Sequence, residues 1–247
     1  MARFQVMSYD LNHAYNRSGE LCAELCAQII RQQGADLVLL QRIGAPLGET
    51  SLKWLAEQVG LPAYGPDSEG NCAFLSRYPL HNLQTIPLGY GDHCLRADFD
   101  PASERVHLVN LTLSWQPRKR LKQVIKLLGE QVLGSRSFPC ATIIAGDFGL
   151  PLWGCGQVAF NPQLVRANYP LWRANYPAIF PLWGRGRIYF QGPIAAVSGQ
   201  VITTKEAKSE LIQLPMVLEV ETRDTRKALR IKDPVTLNPK QPKPVCG

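Results

Sequence analysis

The chain has 247 residues, 45% hydrophobic and 19% charged, a balance that excludes a disordered chain and suffices for a core without disulfide or metal staples. The formal net charge of +7 is unevenly placed: from Thr222 onward seven basic residues stand against two acidic ones, so a basic tail follows a nearly neutral body. No apolar run is long enough to cross a bilayer, a strand pattern begins at Arg3 with no room for a signal peptide, and seven cysteines form no C-x-x-C pair. A cytoplasmic protein without structural disulfides is expected.

In chain order, residues 4–9 read as a strand, and a polar loop occupies 10–17. Ser18 is placed to cap a helix whose stripe is Leu21, Leu25, Ile29 and Ile30 and which stops at Gly34. Cys22 and Cys26 lie one turn apart on it and read as small core residues rather than a metal pair. Residues 35–40 form an apolar run of the kind a doubly covered strand requires. A second helix fits 51–59, stopped by Gly60. Strand patterns then follow without helices at 72–76, 82–87, 93–99 and 105–113, separated by turn chemistry such as Tyr78-Pro79 and Gly89-Tyr90-Gly91-Asp92. A third helix is expected over 119–132 with Leu121, Val124, Ile125, Leu128 and Val132 on its apolar face, beside a basic run of Arg118, Lys119, Arg120, Lys122 and Lys126. Residues 141–145 form a buried strand leading into Gly146-Asp147-Phe148-Gly149.

Strands in meander order with three helices do not suit Rossmann or barrel alternation; they suit mixed sheets packed on each other with helices outside. One domain is expected over 1–221, then an extended, Pro-rich basic tail over 222–247. A short internal repeat, Arg166-Ala-Asn-Tyr-Pro-Leu-Trp172 then Arg173-Ala-Asn-Tyr-Pro, gathers Tyr169, Trp172, Tyr176, Phe180 and Trp183 in one Pro-rich loop. Its rings either fold back onto the body or form an exposed surface for a partner.

The ordered segments Met7-Ser8-Tyr9-Asp10, Leu39-Leu40-Gln41-Arg42, Leu75-Ser76-Arg77-Tyr78-Pro79-Leu80, Val109-Asn110-Leu111-Thr112-Leu113 and Gly146-Asp147-Phe148-Gly149 resemble the endonuclease/exonuclease/phosphatase superfamily. Arg187-Ile188-Tyr189-Phe190 and Leu214-Pro215 onward look like its closing strands. The resemblance covers about residues 3–221 and implies a four-layer α/β/β/α sandwich of two packed mixed sheets. It also implies phosphate-ester cleavage with a bound divalent cation, usually Mg2+, held by a Glu and assisted by Asp, Asn and His residues.

Carried over position by position, most of those groups are replaced. The metal-holding Glu falls at Arg42, a permanent cation that cannot ligate a metal. The first-strand Asn falls at Asp10, a His at Thr112, an Asn at Gly149, an Asp at Tyr189 and the final His at Gln213, while Asp147 survives. Of the four histidines, His13 is the one expected to reach this pocket. Two accounts of the pocket stay open: Arg42 pairs with Asp10 and Asp147 as a structural ion cluster, or Arg42 with His13 holds a phosphate or other anion.

The expected function is a non-catalytic binding or assembly protein without a cofactor or metal. It would dock through Tyr169, Trp172, Tyr176, Phe180 and Trp183 and the basic residues Arg223, Arg226, Lys227, Arg230 and Lys232. The expected partner is a protein with an acidic surface; nucleic acid and an anionic membrane surface are weaker matches. The competing expectation is a divergent Mg2+-dependent phosphoesterase or nuclease using Asp10 and Asp147, with His13 at hand.

Overall fold

The computed structural model describes residues 1–43, 48–65, 71–102, 104–129, 132–134, 140–149, 164–169 and 174–223, with the side chains of 48–51 excepted. Strand β1 (Arg3–Asp10) shows the period-two logic of the architecture: Phe4 and Val6 enter one core, while Met7 and Tyr9 enter another on the opposite face. A strand buried on both faces needs a layer on each side, and β2 (Leu37–Gln41) and β4 (Cys72–Ser76) are buried along their whole length.

The first sheet has six strands in the order β11 (Ile194–Val201), β12 (Met216–Thr222), β1, β2, β4 and β3 (Ala63–Tyr64). The second also has six: β5 (His81–Gly89), β6 (Asp92–Phe99), β7 (Val106–Thr112), β8 (Ala141–Asp147), β10 (Gly186–Gln191) and β9 (Val165–Arg166). Both are mixed: β1 runs parallel to β2 and β7 parallel to β8, and the other pairs are antiparallel.

The inner faces meet in a core that includes Phe4, Leu39, Phe74, Phe99, Ile143, Ile188 and Leu218. Helices α1 (Ala23–Gln33), α2 (Gly48–Val59) and α4 (Lys205–Glu210) pack outside the first sheet, and α3 (Pro117–Leu127) packs outside the second. The result is the four-layer α/β/β/α sandwich expected from the sequence. No helix among the described residues is long and apolar enough to cross a membrane.

Several local expectations need correction. Ser18 does not cap α1. The loop before the helix is organised by Asn16, whose Oδ1 accepts from the backbone of Ser18 (3.0 Å) and Glu20 (2.8 Å), so the helix starts only after Cys22, and Leu21 is left exposed. Helix α3 ends at Leu127 rather than 132, and its buried face is Arg120, Gln123, Val124 and Leu127. That face is rotated by about one position from the expected apolar stripe, which leaves Leu121 and Ile125 in solvent. Strand β11 has no counterpart among the expected strands, because its half-exposed Ala-Ala-Val-Ser-Gly run lacks an apolar alternation. At the proposed domain end, Thr222 is held to Ala2, just before β1, by bonds in both directions (both 3.0 Å), while residues 224–247 lie outside the described residues.

Candidate functional site

The parallel pairs place the C-terminal ends of β1, β2, β7 and β8 at one end of the sandwich. On the inner faces there, apolar residues give way to Ser8, Asp10, Gln41, Asn110, Thr112 and Asp147. A buried amide bridge ties the sheets beneath the site. Gln41 Nε2 donates to Asn110 Oδ1 (2.7 Å), and Asn110 Nδ2 donates to the carbonyls of Leu40 (2.8 Å) and Ala73 (2.9 Å). Satisfying these groups internally fixes the distance between the sheets where the functional side chains begin.

Above the bridge lies a cluster of two carboxylates and two guanidinium groups. Arg42 follows β2 with a left-handed backbone (φ 49°), and its carbonyl accepts from the His13 amide (2.7 Å). Its Nε donates to Asp10 Oδ1 (2.7 Å), Nη2 donates to Asp10 Oδ2, and Nη1 lies 3.4 Å from Asp147 Oδ2. Arg185, just before β10, grips Asp147 from the other side: Nε donates to Oδ1 (3.0 Å) and Nη2 sits 2.8 Å from Oδ2. The side chains of Asp10 and Asp147 are fully buried, and those of Arg42 and Arg185 are 17% and 20% exposed. Arg42 meets Asp10 in the forked, two-point contact that a guanidinium offers a carboxylate, whereas Asp147 Oδ2 has ion-pair neighbours but no hydrogen-bond partner among the described residues.

Arg185 is the residue that sequence reasoning missed. The Gly186–Asp147 register sets the start of β10 beside the end of β8, and the Arg185 amide is anchored on Asn175 Oδ1 (3.0 Å). Asn175 is itself buried and also holds Gly186 and the Leu214 carbonyl, so the second copy of the repeat is a hub of the fold. The guanidinium of Arg185 also lies over the Tyr176 ring at 5.1 Å. The negative charge of Asp147 and its hydrogen bond overcome desolvation and hold the Arg185 pKa above its ordinary value.

Burial pushes the Asp10 carboxyl up to about 6, with Arg42 opposing and the Asp147 charge reinforcing the rise. Burial, then the Arg42 charge, lowers the pKa of His13. Between the ordinary value of 3.8 and about 6 the folded chain keeps a proton on Asp10 that the unfolded chain has lost. Asp10 therefore contributes stability that is full below pH 3.8 and is lost as the pH rises through about 6. Urea unfolding of wild type and Asp10→Asn across this range is expected to show that contribution in wild type and its loss in the variant.

The other expected pocket residues divide. Thr112 is on the inner face, its hydroxyl 3.9 Å from Cys72 Sγ. Gly149 donates its amide to Asp147 Oδ1 (2.8 Å), and with φ at +61° a Cβ there would lie 2.8 Å from the carbonyl oxygens of Leu113 and Ser114, so the loop is built around the absence of a side chain. Gln213 is buried near Gly186, and its Oε1 has no hydrogen-bond partner among the described residues. Tyr189 must be moved: alternation along β10 puts it on the outer face, edge-on to Phe148 at 5.2 Å, while Ile188 and Phe190 point inward.

The aromatic loop divides too. Tyr176 and Trp183 pair with ring centres 6.3 Å apart, whereas Tyr169 and Phe180 are exposed and Trp172 lies outside the described residues. Of the basic partner-binding set, Arg223 is exposed and Arg226, Lys227, Arg230 and Lys232 lie outside the described residues. Cys26 is buried and accepts from the Tyr9 hydroxyl (3.2 Å), in keeping with a core role.

A divalent cation of the kind the fold implies does not fit these residues. Both oxygens of Asp10 and Oδ1 of Asp147 already accept from guanidinium groups, Asp147 Oδ2 has a guanidinium nitrogen 2.8 Å away, and two permanent cations stand against the carboxylates that an ion would need. Among the described residues no group of three or more His, Cys, Asp or Glu side chains is placed to hold a metal.

The profile of the endonuclease/exonuclease/phosphatase family matches residues 7–193. No curated protein sequence matches the chain. Solved structures with the same fold include humanized D. rerio TDP2, at a TM-score of 0.73 and 15% identity, covering 90% of this chain and 100% of that one. D. rerio TDP2 complexed with a single-strand DNA product aligns at 0.71 and 14% identity, covering 90% and 100%. A family protein from Bacteroides thetaiotaomicron aligns at 0.68 and 15% identity, covering 88% and 97%. At these identities the structural likeness establishes the fold alone.

Proposed function

The chain belongs to the endonuclease/exonuclease/phosphatase family, and from that premise we propose that it is a member that acts by binding rather than by hydrolysis. The observation that carries this reading is the pairing of Arg42 and Arg185 with both carboxylates of the cleft. Phosphoester cleavage in such a cleft depends on positioned groups that stabilise developing charge. Here the carboxylates neutralise the guanidiniums, so neither side of the pairing is free for that task. The same balance of two cations and two anions leaves no surplus charge for a phosphate, which favours a structural cluster over an anion site.

Binding would then run through surfaces. Ile179, Phe180 and Leu182 are exposed at the tip of the aromatic loop, Tyr169 is exposed on the first copy of the repeat, and Arg223 opens the basic tail. A protein with an acidic surface is the partner chemistry this combination suits.

One observation favours a second reading, a divergent phosphoesterase or nuclease. His13 is joined to Arg42 through the backbone, and its lowered pKa favours the neutral ring that a general base needs. One assay separates the two. Purified protein with Mg2+ or Mn2+ is incubated with a generic phosphodiester and with single-stranded DNA, the latter because D. rerio TDP2 is known in complex with a single-strand DNA product. The binding reading expects turnover no greater than in Asp147→Asn. Metal-dependent turnover that disappears in Asp147→Asn would establish the second.

A further inference from the structure

Helix α3 buries Arg120 and Gln123 beside Val124 and Leu127 and leaves the apolar Leu121 and Ile125 in solvent, a departure from ordinary helix packing. Arg120 turns inward because its Nη1 satisfies the carbonyls of Gly149 (2.7 Å) and Trp115 (3.1 Å). Gln123 turns inward because it accepts from the Ser114 amide (2.8 Å) and donates to Asp92 Oδ2 (2.6 Å). These loop contacts fix the rotation of the helix, and Leu121 and Ile125 are left 57% and 63% exposed. Trp115, just before the helix, is 72% exposed, and Tyr90 beside it is 53% exposed.

The charge on this ridge has one sign. Arg118, Lys122 and Lys126 are exposed, Lys119 is half-buried, and the helix contains no acidic residue. The ammonium groups of Lys119 and Lys122 lie 5.4 and 5.9 Å from the centre of the Tyr90 ring. Arg118, Leu121, Lys122 and Ile125 follow i, i+3, i+4, i+7 spacing, so cations and aliphatic side chains alternate along a single stripe.

We propose that this stripe, with Trp115 and Tyr90, is a docking surface for an anionic lipid bilayer. Aliphatic side chains that can enter the acyl boundary, amphipathic rings at headgroup level and long basic side chains that reach phosphate together make an interfacial anchor. The alternatives match less well. A second copy of the chain would bring two acid-free basic ridges together. Nucleic acid bases could stack on Trp115 and Tyr90, but a phosphate backbone offers Leu121 and Ile125 less apolar surface to bury than an acyl boundary does. Helix α3 packs on the outer face of the second sheet, and the proposal stands whether or not the cleft hydrolyses anything.

The test uses the full chain with vesicles of phosphatidylcholine alone or mixed with phosphatidylserine, read by co-sedimentation and tryptophan emission. Wild type is expected to bind the mixed vesicles and to leave the neutral ones in solution, with a blue shift that Trp115→Phe diminishes. Leu121→Ser/Ile125→Ser is expected to weaken binding by about tenfold or more, and Arg118→Gln/Lys122→Gln by a similar factor. Both variants keep the basic tail, so a tail-only attraction would leave their binding at the wild-type level. That result, or failure of wild type to bind the mixed vesicles, overturns the proposal. So does binding to single-stranded DNA, without binding to vesicles, that the same variants abolish.

Discussion

Arg42→Ala is expected to destabilise the fold by about 3–5 kcal/mol, the range for removing one partner of a buried ion pair. The cost comes from what remains behind. Asp10, fully buried, would lose both forked contacts and be left with the Asn12 amide at 3.0 Å, while Asp147 kept only Arg185 and the Gly149 amide. An exposed salt bridge would be worth no more than about 1 kcal/mol, so the two cases are well separated. Adding Asp10→Asn to Arg42→Ala removes the orphaned charge and is expected to recover a large part of the loss, because removing both partners together costs less than removing one. Urea unfolding of the wild type, the two single variants and the double variant closes the cycle. An Arg42→Ala loss below about 1 kcal/mol would show that the pairing is a surface contact.

Gly146→Ala is expected to cost more than about 4 kcal/mol, or to prevent folding altogether. Gly146 has φ +151°, and an added Cβ would stand 1.9 Å from the carbonyl oxygen of Leu111, its partner in the parallel β7–β8 pair. No rotamer relieves that overlap, since the backbone fixes the position of the Cβ and the oxygen it meets is itself backbone. The strands would have to separate at the residue before Asp147, and the ion cluster would lose its geometry with them. Thermal unfolding and the yield of soluble protein report the effect; a variant within about 1 kcal/mol of wild type would contradict the close approach of these strands.

The layers were legible in the sequence because uninterrupted apolar runs such as Leu37 to Leu40 have no solution except burial on both faces. The meeting of Arg42 with Asp10 and Asp147 was legible too, since Gln41-Arg42 closes a strand whose order among its neighbours was clear. Arg185 was not. It lies in Gly184-Arg185-Gly186-Arg187, where one arginine reaches the cleft and the other donates to the Gly184 carbonyl and the Tyr189 hydroxyl. Only the register of β10 against β8 says which is which. The same register moved Tyr189 to the outer face, because a one-residue displacement along a strand exchanges its two sides. On α3 the apolar pattern was ambiguous: Val124 belongs to two overlapping stripes, and the choice between them was made by Arg120 and Gln123 satisfying loop carbonyls, an amide and a carboxylate. Long-range hydrogen bonds of this kind leave no periodic trace in a sequence.

In the binding reading proposed above, guanidinium groups fill the cleft where a metal ion would otherwise sit. A crystal of the full chain grown with Mn2+, with data collected near the manganese absorption edge, tests it most directly. The expected map shows Arg42 forked onto Asp10 and Arg185 onto Asp147, with no anomalous peak between the two carboxylates. A strong peak coordinated by Asp10 and Asp147, with either arginine swung away, would contradict it.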